Sequence, residues 1–430
     1  MSFTKRFLVS EALLFSSAIA ATATISLFVP GLSSSVRAAL QDSPKVVLDE
    51  AWQIINREYV DSTFNKVDWQ KVREELLSKN YTSREQAYAA LEKALEKLGD
   101  PYTRFMNPEQ YRALTEQTAG ELSGVGIKLE VDEKTKTLRV VEPIENSPAA
   151  KAGIQVADRI LLIDGKPTQG MTVEEAVKLI RGKEGTQVKL QLSREGKGIF
   201  EVTLTRARIE LQAVRYSVKE EGRIRVGYIR LQEFSAHAAE QMQRAIEDLK
   251  SKKVNAFVLD LRGNPGGLLY ASVDIARMWM NKGAIVKTVD RQGRDEEIKN
   301  NNSALTDLPL AVLVDKNSAS ASEILSGALQ DNGRAIIIGS KTFGKALVQS
   351  VHSLSDGSGL AVTIAHYYTP NGKDISHKGI TPDITVDMSE EASKKLVSNP
   401  NDITSKNDPV YARAVAVLQA QSPNKPMASQ

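Results

Sequence analysis

Asn317 to Gln349 reads NSASASEILSGALQDNGRAIIIGSKTFGKALVQ, and its order of apolar runs and punctuation decides the fold. It follows the apolar run Pro309 to Val314 (PLAVLV), bounded by Asp315, Lys316 and Asn317, which reads as a buried strand delivering the chain into a tight turn and a helix. The helix is expected over Ala319 to Asp331, with Ile324, Leu325, Ala328 and Leu329 on one apolar face and Asn332-Gly333 as its stop. A second apolar run, Ala335 to Ile338, supplies the next strand. Strand, helix and strand in this order are the grammar of a layered α/β core.

Ser320 falls in the first turn of that helix, where unpaired backbone amides favour negative charge. The N–H of Ala321 is therefore placed to receive the oxyanion that forms when a hydroxyl attacks a carbonyl. The same four residues, Ser320-Ala-Ser-Glu323, also satisfy a capping box, in which the serine accepts the Glu323 N–H and Glu323 reaches back. A base distinguishes the two readings. Lys345, in Gly339-Ser-Lys-Thr-Phe-Gly-Lys345, is flanked by small and apolar residues, and desolvation disfavours an ammonium. The chain has four histidines. His237 and His377 read as solvated, while His352 and His366 lie in alternating strand-like runs and remain the reserve base.

SASASE followed by FGKALVQ resembles the carboxyl-terminal processing (tail-specific) serine proteases of bacterial and cyanobacterial type, which carry a PDZ domain. The resemblance implies Ser320 as nucleophile, Lys345 as base and Gln349 as the residue that orients the lysine. An amide suits that task, because it holds an amine without stabilising its ammonium form. For Gln349 to reach Lys345 across four residues, a helical turn between them is expected.

The 430 residues exceed one ordinary domain, and 41% hydrophobic with 25% charged residues is globular composition. A net charge of +3 does not point to nucleic acid, and the absence of cysteine excludes disulfides, thiolate nucleophiles and thiolate metal sites. Met1 to Ala38 has the form of an export signal: Lys5-Arg6, an apolar stretch from Ala12 to Val29, Pro30-Gly31, then Val36-Arg-Ala38. Cleavage after Ala38 is expected, with an uncleaved anchor as the alternative. Lys45 to Gln117 reads as a helical module, with Val47, Leu48, Trp52, Ile55 and Tyr59 at helix spacing.

Leu122 to Leu129 (LSGVGIKL), SPAAKAGI (Ser147 to Ile154), DRILLIDGK (Asp158 to Lys166) and TQVKLQLSREG (Thr186 to Gly196) together resemble a circularly permuted PDZ domain. Gly124, Val125, Gly126 and Ile127 can turn successive amides onto a terminal carboxylate while the strand that follows offers an edge to an extended peptide. Arg206 to Arg208 reads as a short hinge into the core. There Arg225 to Leu231 and Val254 to Leu261 read as strands about a helix, Ala238 to Lys250, and the second leads into Arg262-Gly-Asn-Pro-Gly-Gly267. The resemblance implies an oxyanion-hole glycine in that turn, Gly266. Without a following Lys-Ser/Thr the turn does not read as a phosphate loop. Glu390 to Gln430 is polar, with a short helix over Val410 to Ala420.

The expected fold is a multidomain α/β protein: signal peptide 1–38, helical module 39–118, permuted PDZ domain 119–206 (α+β), crotonase/Clp-like Ser/Lys protease core 207–390 and polar C-terminal segment 391–430. The expected function is that of an exported serine endopeptidase, in the periplasm or thylakoid lumen, that binds the C-terminal tail of a protein and cleaves near it. Substrates are proteins or peptides with free C-termini. No metal, organic cofactor, nucleotide or nucleic acid is implied, and peripheral membrane association and oligomerisation are both compatible with the sequence. Two alternatives are a PDZ scaffold with an inert protease-like core and an acyl-transforming enzyme on a crotonase-like core.

Overall fold

The computed structural model describes residues 43–421 apart from Lys134, Glu390 and residues 393–395, 397–402 and 406, so the signal reading over Met1 to Ala38 lies outside the described residues. The chain is mixed α/β and divides into two compact units, one holding the residues up to Tyr111 with Ser350–Val362, the other Arg112–Gln349 with Thr363 onward.

In the first unit three helices, Pro44–Glu58, Trp69–Ser78 and Arg84–Glu96, bury the stripe read from the sequence, including Val47, Leu48, Trp52, Ile55, Leu76 and Leu91. Their starts are set locally. Asp68 accepts from the Lys71 N–H and Ser83 from the Gln86 N–H, each satisfying an amide that the first turn leaves open. The strand Arg104–Met106 pairs antiparallel with Gly359–Ala361.

The second unit contains two sheets of six strands. One has the order Ile127–Val131, Leu138–Pro143, Arg159–Ile163, Gln187–Arg194, Gly198–Thr205, with Lys166–Pro167 on the third. Its core is formed by Leu138, Val140, Ile160, Ile163, Leu190 and Leu192 with Ala176 and Ile180 of the helix Val173–Ile180. Ile127–Val131 lies at the sheet's edge and faces that helix. This domain's entry and exit segments, Glu121–Gly124 and Ala207–Glu210, pair as a two-stranded ribbon. What reads in sequence as a loose hinge is thus backbone-bonded.

The other sheet has the order Val214–Glu221, Ile224–Leu231, Ala256–Asp260, Leu310–Val314, Ile336–Gly339, Ile384–Thr385. The first pair is antiparallel and every later pair parallel. Ala256–Asp260 and Leu310–Val314 are buried at every position, as parallel strands covered on both faces must be. Helices Ala238–Ser251, Leu269–Trp279 and Ala321–Asp331 contribute to the cluster on one face. The helix Pro409–Gln421 covers the other with Val410, Tyr411, Ala414, Val415 and Leu418. The expected short helix near the C-terminus is therefore part of the core rather than a polar tail.

Arg262 ties the start of that helix to the end of the strand Ala256–Asp260. Its guanidinium bonds Asp260 at 2.9 and 2.7 Å and Asp408 twice at 2.8 Å. Both carboxylates are fully buried. Burial pushes Asp260 up, but the charge and hydrogen bonds of Arg262 outweigh it and hold the carboxyl below its usual range. Tyr228 adds a bond to Asp260 at 2.7 Å.

Candidate active site

Three adjacent parallel strands, Ala256–Asp260, Leu310–Val314 and Ile336–Gly339, end on the same edge of the sheet, and the segments leaving their carboxyl ends carry Gly266, Ser320 and Lys345. Sites in open α/β sheets are built at such ends.

Ser320 is half-buried and stands at the N-cap of the helix Ala321–Asp331, which begins two residues later than the sequence suggests. Its backbone is at φ 53°, ψ −113°, a left-handed-side conformation that a side chain rarely adopts and that surrounding bonds must sustain. Ser320 and Glu323 stand in the capping-box relation, the Glu323 carboxylate accepting the Ser320 N–H at 2.9 Å. Yet the Glu323 N–H donates to the Ser320 carbonyl at 2.8 Å, and no side-chain hydrogen bond caps the helix.

Glu323 is the residue whose role the sequence reading missed. Its buried carboxylate accepts from Ser320 N–H and Lys345 N–H on Oε2, each at 2.9 Å, and from Gly344 N–H at 2.7 Å and the Thr342 hydroxyl at 2.6 Å on Oε1. Because both amide nitrogens lie 2.9 Å from one oxygen, they are within about 6 Å of each other. Two segments separated by a helix and a strand are so joined through one side chain. Burial raises the Glu323 carboxyl above its usual range, while the hydroxyl and the three amides pull it back. A glutamate among Ile324, Leu325, Ala328 and Leu329, on a helix buried from Ala321 to Leu329, was the available signal.

The Arg262–Gly267 turn is pressed against Ser320. A Cβ on Gly266 (φ 105°) would lie 2.9 Å from Ser320 Cβ, 2.7 Å from the Ala319 carbonyl and 3.0 Å from the Ala321 nitrogen, so only glycine fits. The Gly266 N–H, expected to be open for an oxyanion, instead donates to Asn264 Oδ1 at 2.9 Å. Asn264 is fully buried and organises the whole turn. Its Nδ2 donates to the Leu231 carbonyl at 2.9 Å, and its own carbonyl accepts from the Ser322 hydroxyl at 3.0 Å and the Ala319 N–H at 3.1 Å.

Lys345 is half-buried in a loop that the closing element supports: the His377 N–H donates to the Gly344 carbonyl at 2.8 Å, and the Ile380 N–H to the Thr342 hydroxyl at 2.6 Å. The expected helical turn from Lys345 to Gln349 is absent. Leu347–Ser353 is a strand paired with Gly359–Tyr368, and an extended chain carries residues four apart to about 13 Å. Gln349 Nε2 makes one long bond, to Thr363 Oγ1 at 3.5 Å. Among the histidines, His352 pairs with Glu58 at 2.7 Å and His237 with Glu121 at 3.0 Å. His366 lies on the strand Gly359–Tyr368 and His377 is an exposed loop residue.

In the first six-stranded sheet, Gly124 to Ile127 line a groove with Leu122, Leu129, Ile144, Val177, Ile180 and Arg181. Gly126 has φ 78°, and a Cβ there would come 2.2 Å from Ser147 Cβ. The groove therefore runs between an open strand edge and a helix, with a glycine turn at one end. Arg181, at its rim, pairs with Glu116 at 3.2 Å.

Peptidase family S41 matches residues 225–386, a PDZ domain residues 139–194, and the tricorn protease C1 domain residues 41–79. A carboxyl-terminal-processing protease of Synechocystis sp. is 44% identical over 383 residues, covering 88% of each chain. The chloroplastic carboxyl-terminal-processing peptidase 2 of Arabidopsis thaliana is 40% identical over 372 residues, covering 82% of this chain and 72% of that relative. The solved structure of a photosystem II D1 C-terminal processing protease superposes with a TM-score of 0.52 at 37% identity, covering 80% of this chain and 93% of that one.

Proposed function

Since the chain belongs to peptidase family S41 and is a serine-type carboxyl-terminal processing peptidase, we propose that it is exported, captures the free C-terminus of a protein on its PDZ domain and cleaves upstream with Ser320, Lys345 and Gln349. The observation that carries this reading is the shared Glu323 oxygen, which brings the Ser320 and Lys345 backbones together although 25 residues of sequence separate them.

Neutral Lys345 takes the proton of the Ser320 hydroxyl as Oγ attacks the scissile carbonyl. The tetrahedral oxyanion is received by the Ala321 N–H at the helix terminus and by the Gly266 N–H. The second donor becomes available when its hydrogen bond to Asn264 is exchanged for one to the substrate oxygen. Lys345 then protonates the leaving amine, and a water activated by the same lysine hydrolyses the acyl-enzyme. Gln349 holds the amine from its strand. The amides of Gly124 to Ile127 receive the terminal carboxylate, and the tail extends along the Ile127–Val131 edge.

The D1 processing protease acts, by its name, on a C-terminal extension; we extend that substrate class to this chain. Export rests on the Met1 to Ala38 pattern, and among the described residues no helix is long and apolar enough to cross a membrane. The permuted order of the PDZ strands and a crotonase/Clp-like ancestry of the core are part of the same proposal. The test is mass spectrometry of C-terminal peptides released by wild type, Ser320→Ala and Lys345→Ala: release by wild type alone is expected, and release by either variant refutes the assignment.

A further inference from the structure

We propose that Tyr367 is a positioning residue of the hydrolytic site, its hydroxyl holding the carbonyl sides of the nucleophile and base peptides as Glu323 holds their N–H sides. The inference rests on Ser320 and Lys345 being that pair. Tyr367 is 2% exposed on the strand Gly359–Tyr368. Its hydroxyl donates to the Ser320 carbonyl at 3.2 Å and to the Lys345 carbonyl. Its own N–H donates to the Ala346 carbonyl at 3.0 Å, so backbone and side chain grip the same loop.

A phenol has one proton, and two carbonyls must share it. It serves both only while they converge on it. The Ser320 carbonyl also accepts from Glu323 N–H at 2.8 Å and Ile324 N–H at 3.0 Å, which fixes it on the helix side. The Lys345 carbonyl lies in a loop, so the phenol joins that loop to the start of the helix. Together with the carboxylate it makes a two-sided clamp on the residues that carry the reacting side chains. Proton transfer depends steeply on such distances.

The experiment compares wild type, Tyr367→Phe and a protein with 3-fluorotyrosine at 367, using a tail peptide and a small activated ester that needs no tail capture. Loss of one hydrogen bond should lower kcat about tenfold for both substrates. KM for the peptide should stay within about twofold, since the groove is untouched. The basic limb of the pH profile should move, and fluorotyrosine, which keeps the donor, should restore kcat. Unchanged kcat and limb in Tyr367→Phe overturn the inference, as does a kcat loss accompanied by an equal weakening of tail binding and a lowered melting temperature. Ser320→Ala and Lys345→Ala run alongside: activity in either refutes the reading of the pair, whereas inactive controls with an unaffected Tyr367→Phe refute the tyrosine alone.

Discussion

Glu323→Gln removes one charge at nearly constant shape. The carboxylate offers two oxygens to four donors, at 2.9, 2.9, 2.7 and 2.6 Å. The amide offers one oxygen, so whichever way it is turned two donors face an NH₂ group. Hydrogen bonds to a charged acceptor are worth roughly 1.5–3 kcal/mol each, so the loss is about 3–6 kcal/mol. Relief of the burial that raises the Glu323 carboxyl offsets part of it. A net effect of about 2–4 kcal/mol, shared between fold and site, should lower the urea midpoint and reduce kcat on the order of 10- to 100-fold.

The sign with pH is fixed as well. A raised native value means that the folded chain holds the proton more tightly than the unfolded one, so this residue's contribution is complete below the ordinary glutamate range and declines as pH rises through the raised value. Glu323→Gln should flatten that decline. Equilibrium unfolding across pH, with kcat measured on the same preparations, tests both statements. Wild-type kcat together with a wild-type urea midpoint would refute the reasoning.

Lys345→Arg should be as inactive as Lys345→Ala, because a guanidinium cannot accept the proton; residual turnover in a peptide assay decides. Gln349→Glu should move the basic limb to higher pH, since an acid beside the amine favours its charged form, and an unmoved limb would show that Gln349 does not face Lys345. Gly126→Ala, which places a Cβ 2.2 Å from Ser147 Cβ, should raise KM for tail peptides about tenfold or more while a small ester is hydrolysed at the wild-type rate. Asp408→Asn leaves Arg262 with one carboxylate and should cost about 3–5 kcal/mol in urea unfolding, with kcat falling because Arg262 begins the Gly266 turn.

Much of this was legible in the sequence because strands and helices announce themselves by period. The alternation and apolar runs of Ile224–Leu231 and Leu310–Val314, and the helix stop at Asn332-Gly333, needed only local information. The Lys345–Gln349 turn was misjudged from local information too. LVQSVHS alternates, and the same period that puts His352 on a strand puts Gln349 on it. The C-terminal helix was underrated because Val410, Tyr411, Ala414, Val415 and Leu418 form an apolar stripe inside polar surroundings, and only the bare face of the sheet gives that stripe a partner. Glu323, Asn264 and Tyr367 were legible only in part or not at all. Each acts through contacts with residues that the sequence holds 19 to 58 positions away.

Two of those residues, Glu323 and Tyr367, bear on how Lys345 would serve, as proposed, where histidine is usual. A lysine base must be neutral, so a carboxylate free to meet its ammonium would defeat it. The site nevertheless holds a buried carboxylate 2.9 Å from the Lys345 backbone nitrogen. Its acceptor sites are directed at three amides and a hydroxyl, so its charge is met by fixed dipoles. Aspartate beside a catalytic histidine orients and stabilises a cation in one act. In the proposed mechanism the two tasks are divided: carboxylate and phenol place the backbone, and the Gln349 amide would orient the amine. Such a division requires the placing groups to be buried and rigid, which is why they lie on a central helix and a sheet strand rather than in the loops they hold.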